Sequence, residues 1–345
     1  MDEKTNKTNP PDIQRTPLTI VKQISLMIND KCNLKCSYCY QNHNRSGNEM
    51  SEELTDKLIK QLNGGLADYN TIMFLGGETL LSQKIIEKFI LSLKRQYRYM
   101  IMTNGTIPLQ PFCFDTKEYK NIIGFGFSYD GLNQTNRTTK DLKKIFDNIK
   151  WLQENNYGFT IIHTLNSNSV FNLIENILYL STIHKNIKIK RICNLHKSWT
   201  KEAKEFFIKN LSKITLLTAY LNTAKNYYIQ LPNHIQLPKD QEGIIRHGYC
   251  CQNSIASDMD VVYWDGGLYP CENRAANHIG KYGEAFEDLK NRPYKFTNYN
   301  DEIIYNICSM YNTVEPKVDE ALEEQRIKYK EFKEKIERLK WAQKN

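Results

Sequence analysis

Apolar and polar positions follow two rhythms that alternate from residue 18 to residue 195. "LTIVKQISLMI" (18–28) alternates β-branched and polar residues, the period of a strand. "SEELTDKLIKQL" opens with Ser51 as N-cap and acids in the first turn. It repeats Leu54, Leu58 and Leu62 at helical spacing and stops at Gly64–Gly65. "TIMFL" (71–75) reads as a strand, and 82–96 as a helix with Ile85, Ile86, Phe89, Ile90 and Leu93 inward. "YRYMIMTNG" gives a third strand and its turn. "IIGFGFS" (122–128), "FTIIHTLN" (159–166) and "IKIKRICNL" (187–195) are three further strands. The helices between them span 139–155, with Leu142, Ile145, Phe146, Ile149 and Leu152 inward, and 169–183. Such alternation predicts an α/β fold of parallel strands joined by crossover helices. Six units are fewer than the eight of a full barrel, and functional groups are expected at the C-terminal ends of the strands.

From residue 201 the pattern changes. "KEAKEFFIKNLSKITLLTAYLNTAKNYY" predicts one long helix or a broken pair, and "LPNHIQLPKD" a linker. "WDGGLY" predicts a hairpin turn. Residues 316–341 predict a charged helix that docks through Leu322, Tyr329, Phe332, Ile336 and Leu339, a stripe too short for a coiled coil. The expected divisions are a flexible tail (1–18), a core (19–200), a helical linker (201–245), a cysteine-bearing region (246–312) and a terminal helix (313–345).

Composition narrows the classes. The 345 residues carry a formal net charge of +8, with hydrophobic residues at 40% and charged residues at 25%, an ordinary globular balance. The lysines are spread over helical faces rather than gathered in a stripe, so nucleic acid is not an expected partner. "MDEKTNKTNPPDIQRTP" has no apolar run and is no secretory signal. No window of about 18 apolar residues predicts a membrane span. A reducing cytoplasm is the expected location, where the nine cysteines are ligands or buried thiols rather than disulfides.

"CNLKCSYCY" (32–40) concentrates the chemistry. Its spacing admits a dithiol pair at Cys36 and Cys39, which leaves Cys32 unused. It admits zinc, with His43 as a nearby donor. It admits three thiolates on a 4Fe-4S cluster, where four are usual, which leaves one iron open. The strand ends supply polar company in order: Gly76, Gly77 and Glu78 in "FLGGETL", Thr103 and Asn104 in "MTNGT", Ser128 and Asp130 in "FSYDG", Asn166 in "HTLN". Two glycines after a strand let backbone come close to a ligand, and Glu78 could accept from a ligand ammonium group.

This ordered set resembles the radical S-adenosylmethionine (SAM) superfamily over residues 20–195: CxxxCxxC with Tyr38 as the aromatic before the last cysteine, and "GGET" as its GGE motif. "TNGT" and "SYDG" resemble segments of the peptide- and protein-modifying branch, which includes the anaerobic sulfatase-maturating enzymes. The resemblance implies a partial (βα)6 TIM-like barrel. It implies a 4Fe-4S cluster on Cys32, Cys36 and Cys39, with S-adenosylmethionine chelated by the open iron and cleaved to a 5′-deoxyadenosyl radical that abstracts a substrate hydrogen. Gly76, Gly77 and Glu78 would meet the methionine ammonium, and Tyr38 would lie near the adenine. Thr103, Asn104, Ser128 and Asn166 would complete the pocket. The family's "DGP" followed by His and Arg is here "DGLNQTNRTTK", in which Arg137 or Lys140 takes the basic role. An external one-electron reductant of flavodoxin or ferredoxin type is implied.

"CCQNSIASDMDVVYWDGGLYPC" resembles the start of a SPASM domain, with Gly266 to Cys271 as its GxxxxC. The later cysteine run is reduced to Cys308, so the resemblance implies the shortened Twitch form: one auxiliary iron–sulfur cluster held by Cys271, Cys308, and Cys250 or Cys251 or both. Cys113 and Cys193 read as buried or incidental, and His163, His184, His196, His234, His247 and His278 as surface or core residues. The expected function is radical chemistry on a peptide or protein side chain. The alternatives are a small-molecule substrate (a sugar, nucleoside or cofactor precursor) and a non-catalytic zinc or iron–sulfur protein. Tyr129, Asp130, Asp258, Asp260 and Glu272 are unranked acid–base candidates.

Overall fold

The computed structural model describes residues 23–39, 45–64, 69–94, 97–109, 122–132, 137, 142–191, 200–231, 259–269, 283–284 and 316–344. The expected tail, His43, Lys140, Asp258, Glu272, and Cys113, Cys193, Cys250, Cys251, Cys271 and Cys308 lie outside them. So do His196, His234, His247 and His278.

The strands are β1 (Gln23–Met27), β2 (Thr71–Leu75), β3 (Arg98–Thr103), β4 (Ile123–Ser128), β5 (Gly158–Leu165) and β6 (Asn186–Arg191). They stand side by side in chain order, each parallel to the next. The helices are α1 (Glu52–Asn63), α2 (Gln83–Ser92), α3 (Leu142–Glu154) and α4 (Leu173–Ile183). This is a partial (βα)6 barrel: an open parallel sheet rather than a closed ring. Two further strands join it in parallel, β7 (Tyr228–Gln230) beside β6 and β8 (Met259–Tyr263) beside β1. β9 (Gly267–Tyr269) and β10 (Gly283–Glu284) extend the β8 edge antiparallel, which makes a ten-stranded sheet. The sheet therefore has two more parallel strands than the six predicted.

The face register explains the sequence rhythm. Ile24, Leu26, Ile72, Phe74, Ile101, Phe125, Phe127, Ile161, Leu165, Ile187 and Ile189 share one face and are all buried. The helices cover this face: Phe89 of α2 meets Phe74 with ring centroids 5.7 Å apart, and His184 stacks on Phe159 at the end of α4. The opposite face carries Met73, Met100, Met102, Ser128, Thr160 and Thr164, all half-buried. The two faces thus differ as a helix-packed core differs from a binding surface.

Local signals mostly hold. The Ser51 hydroxyl accepts from Leu54 N and Gly64 ends α1, a cap worth about 1 kcal/mol. "WDGGLY" is a hairpin turn between β8 and β9 with Gly266 at φ 81°. The predicted helix 82–96 begins with a 3₁₀ turn (Thr79–Ser82) and ends at Ser92. The long segment is one helix, α5 (Lys201–Ala224), which stops short of the predicted 228. Asn226 there takes φ 58°, a left-handed turn that Asn tolerates, and the chain enters β7 through Tyr228 N to Lys185 O.

Two inward assignments are corrected. Leu142, the first described residue of α3, is 40% exposed. Leu339, in α6 (Pro316–Lys344), is 64% exposed. The face of α6 that packs against α5 follows Leu322, Gln325, Tyr329, Phe332, Ile336 and Lys340. The steps are 3, 4, 3 and 4 residues as far as Ile336 and then 4 again to Lys340, so Leu339 falls off the face. Asn222 Nδ2 donates to the Tyr329 hydroxyl and Lys340 Nζ to Thr223 O along this seam.

Candidate active site

Five consecutive strand ends meet at one edge of the sheet, and their loops are bonded to one another. β1 runs into Asn29, Asp30 and the cysteine loop. Asn29 is fully buried: its Oδ1 accepts from Gly77 N, and its Nδ2 donates to Glu78 O and Ser82 Oγ. Gly77 N also reaches Asn29 O, and Glu78 N donates to Lys31 O at 2.6 Å. The glycine pair therefore serves a close approach, and the partner is the chain itself. A Cβ on Gly77 would collide with the Lys31 carbonyl, and one on Gly76 would lie 2.6 Å from Asn29 Oδ1. Asp30 fastens the far side of the loop: Oδ2 accepts from Ser46 N and Oγ, and Oδ1 from Asn48 N at 2.7 Å.

Glu78 is 1% exposed and is the acceptor that joins the ends of β2 and β3. Oε1 receives Leu80 N at 3.1 Å and the Thr103 hydroxyl at 2.8 Å, and Oε2 receives Asn104 N at 2.7 Å. Burial pushes its carboxyl up from the ordinary value, and these donors oppose the shift. The side chain of Asn104 turns the other way: Oδ1 accepts from Thr106 N and Oγ1, and Nδ2 donates to Asn33 Oδ1 in the cysteine loop. Glu78, Thr103 and Asn104 thus form a buried brace behind the loop.

The three cysteines are reduced; Cys36 is buried, and Cys32 and Cys39 are half-buried. Burial raises the thiols of Cys32 and Cys36, opposed by the charges of Arg45 and Arg137 respectively. Donors face two of the sulfurs. Leu34 N lies 3.4 Å from Cys32 Sγ, Asn104 Nδ2 lies 3.9 Å from it, and Arg45 Nη2 lies 3.1 Å from Cys39 Sγ. Among the described residues no three Cys, His, Asp or Glu side chains converge on a point that one metal ion could occupy. A cluster asks for something else, since each thiolate binds a different iron. The loop suits that demand, with three thiols on one turn and N–H donors already aimed at sulfur.

Asp130 is the second hub, at the end of β4 and 2% exposed. Its Oδ1 accepts from Thr164 N on β5, and its Oδ2 from the Tyr38 hydroxyl at 2.5 Å and Arg137 Nε at 3.1 Å. Burial raises the Tyr38 phenol well above its ordinary value, which keeps it a donor. Burial opposes the charge of Arg137, and the Tyr38 and Asp130 oxygens outweigh that and hold it protonated. The Arg137 Nη1 is buried and makes no hydrogen bond among the described residues.

Of the residues singled out in the sequence, Cys32, Cys36, Cys39, Tyr38, Gly76, Gly77, Glu78, Thr103 and Asn104 are joined in this network. Ser128 is half-buried at the end of β4, on the sheet's open face. Asn166 caps the turn after β5, its Oδ1 accepting from Asn168 N and Ser169 N. Tyr129 is buried against Phe146 and Tyr179 on the helix side. Sequence reading missed the structural parts of Asn29, Asp30 and Arg45. Only their adjacency to the cysteine triplet hinted at them.

Comparison with known proteins agrees with this geometry. The family pattern described as the Radical SAM superfamily matches residues 26–169. This segment is a radical SAM domain. It contains the three cysteines, GGE and every strand end up to Asn166. The uncharacterized protein MJ0907 of Methanocaldococcus jannaschii is 28% identical over 262 residues, 73% of this chain and 85% of its own length. The radical SAM cyclopropyl synthase TigE of Paramaledivibacter caminithermalis is 27% identical over 184 residues, 45% of this chain and 38% of its own. Among solved structures, native anSMEcpe with bound AdoMet and Kp18Cys peptide superposes with a TM-score of 0.63 at 19% identity, covering 83% of this chain and 84% of that one.

Proposed function

We propose that this chain is a radical SAM enzyme that modifies a peptide or protein side chain. The observation that carries it is the cysteine loop at the end of β1, with three reduced thiols braced by GGE and the β3 end and with donors aimed at sulfur. When bound, the cluster and S-adenosylmethionine supply a one-electron cleavage to methionine and a 5′-deoxyadenosyl radical, which takes a hydrogen atom from the substrate.

The chain's own groups have separate tasks in this reading. Cys32, Cys36 and Cys39 hold three irons. Arg137 offers a carboxylate its Nη1, a buried cationic donor without an acceptor among the described residues and close enough to Cys36 to act on its charge. Bidentate pairing with carboxylate is the chemistry Arg favours. Glu78 braces the GGE backbone, and its remaining lone-pair capacity faces the ligand ammonium. Tyr38 lies toward the adenine, held by Asp130. Gly76, Gly77, Thr103, Asn104, Ser128 and Asn166 shape the pocket wall.

A relative of this fold with a peptide bound, anSMEcpe, supports the peptide reading, as does the SPASM-like cysteine pattern beyond residue 246. That region holds one auxiliary cluster of Twitch type on Cys271, Cys308, and Cys250 or Cys251 or both. The division into 19–200, 201–245, 246–312 and 313–345 belongs to the same proposal, as do a flavodoxin- or ferredoxin-type reductant and a cytoplasmic setting. No helix among the described residues is long and apolar enough to cross a membrane.

The test is anaerobic reconstitution with iron and sulfide, then dithionite and S-adenosylmethionine. The expected products are 5′-deoxyadenosine and methionine, lost in the Cys32→Ala/Cys36→Ala/Cys39→Ala protein. Intact cluster with no 5′-deoxyadenosine overturns the enzyme reading. Deuterium carried into 5′-deoxyadenosine from a labelled nucleoside or sugar, and not from labelled peptide, overturns the peptide assignment.

A further inference from the structure

Arg45 has a task that neither the sequence motifs nor the family match names. It follows the triplet in "CYQNHNRSG" and comes back onto it. Its Nη2 donates to Cys39 Sγ at 3.1 Å and its Nη1 to Leu34 O at 2.5 Å. The position is built. Asp30 fastens the next residues through Ser46 N, Ser46 Oγ and Asn48 N, so the backbone beside Arg45 is tied to the end of β1. The guanidinium is partly desolvated, and its Nε is buried without a partner among the described residues. Among the described residues, burial opposes its charge and the sulfurs of Cys39, Cys32 and Cys36 favour it. Two other cations near the loop are paired with carboxylates, Arg137 with Asp130 and Lys31 with Glu49. Arg45 therefore brings to the sulfur of the last cysteine an N–H donor and a positive charge that no carboxylate pairs among the described residues.

A group placed so discriminates between oxidation states. An electron arriving from the reductant stays on the cluster and adds one negative charge to it, while the reductant loses that electron and no bond changes. A donor on a ligand sulfur and a nearby cation stabilise the more negative state more than the less negative one. We propose that Arg45 is a positioning residue that raises the reduction potential of the cluster on Cys32, Cys36 and Cys39 through its contact with Cys39. This rests on the radical SAM reading of the site and adds to it how the electron is admitted.

The test uses the full chain, anaerobically reconstituted, with an EPR-monitored redox titration. The signal followed is the one missing from the Cys32→Ala/Cys36→Ala/Cys39→Ala protein. Arg45→Gln keeps N–H donors and removes the charge, and Arg45→Lys keeps the charge. The expected result is a reduction equilibrium about tenfold weaker in Arg45→Gln, a downward shift of about 59 mV for one electron. Arg45→Lys should stay nearer wild type, at equal iron and sulfide content. A cluster-replete Arg45→Gln protein that titrates at the wild-type potential overturns the inference. A second readout needs no substitution. In wild-type protein carrying nitrogen-15 arginine, the reduced cluster should show a nitrogen-15 hyperfine coupling, lost in Arg45→Lys. Absence of that coupling in the wild type also overturns it. A protein that takes up no 4Fe-4S cluster refutes the site reading itself. One that cleaves S-adenosylmethionine with an unmoved potential refutes only the role of Arg45.

Discussion

Replacing Glu78 by Gln separates two accounts of the GGE motif. If the carboxylate exists to meet a ligand ammonium, the ligand-free protein should tolerate the amide. The hydrogen bonds argue otherwise. Oε1 accepts two donors and Oε2 one, all in a site 1% exposed. An amide supplies one acceptor atom and turns an NH₂ toward the other donors. With NH₂ in place of Oε2, the Asn104 N–H loses its acceptor; with NH₂ in place of Oε1, Leu80 N–H and the Thr103 hydroxyl lose theirs. A buried donor left unmet costs about 1–3 kcal/mol, more where the lost partner was charged. Glu78→Gln should therefore lower the stability of ligand-free protein by about 2–4 kcal/mol, and Glu78→Ala, which strands all three donors, by more. Urea unfolding of the apoprotein measures it. Thr103→Val with Glu78→Gln forms a double-mutant cycle that should show coupling of about 1 kcal/mol or more, since the residues share one bond. A Glu78→Gln apoprotein within about 0.5 kcal/mol of wild type would show that the brace is not what this carboxylate is for.

Gly77→Ala should destabilise by more than about 2 kcal/mol and lower iron uptake, because its Cβ meets the Lys31 and Asp30 carbonyls, which cannot give way as a side chain end can. Gly158→Ala is the contrast: nothing lies within 4 Å of its Cβ, so a gain of about 0.4–1 kcal/mol is expected in the same unfolding assay. His163 sits on the helix-packed face of β5, fully buried, and burial lowers its pKa below 6.5, opposed by the charge and backbone of Asp130. The unfolded chain then binds a proton that the folded chain refuses, so stability is full well above pH 6.5 and is lost as the pH falls through that value. His163→Leu should match wild type at pH 8 and exceed it at pH 5.5; parallel pH profiles of the two proteins would refute this.

The fold was legible because the sheet separates its two faces so strictly. A residue such as Phe74 or Ile161 must be apolar to lie under a helix, and that demand writes the strand period into the sequence. β7 was not legible. Three residues carry no period of their own, and the segment ends a helical pattern until Asn226 turns the chain. The cysteine loop announced itself through spacing. Its supports did not, because hydrogen-bonding roles leave no spacing. Asp30 holds residues sixteen and eighteen positions away, and Asp130 holds Tyr38 from ninety-two positions away. The glycine pair was legible as a close approach of backbone to a ligand, and the structure adds the chain's own Lys31 carbonyl beside Gly77.

The sheet order also bears on how the two cysteine regions relate. β1 is not an edge strand. It is paired along its whole length with β2 on one side and with β8 on the other, Gln23 to Met27 against Met259 to Tyr263. The strand that delivers Cys32 is therefore clamped by a strand from the C-terminal third of the chain, and β9 ends only two residues before Cys271. A tethered accessory domain would leave β1 open to solvent on that side. Here the backbone that presents the triplet and the backbone that leads to the second cysteine group share hydrogen bonds in one sheet. Strain or order imposed at either loop is thus felt by the same set of bonds.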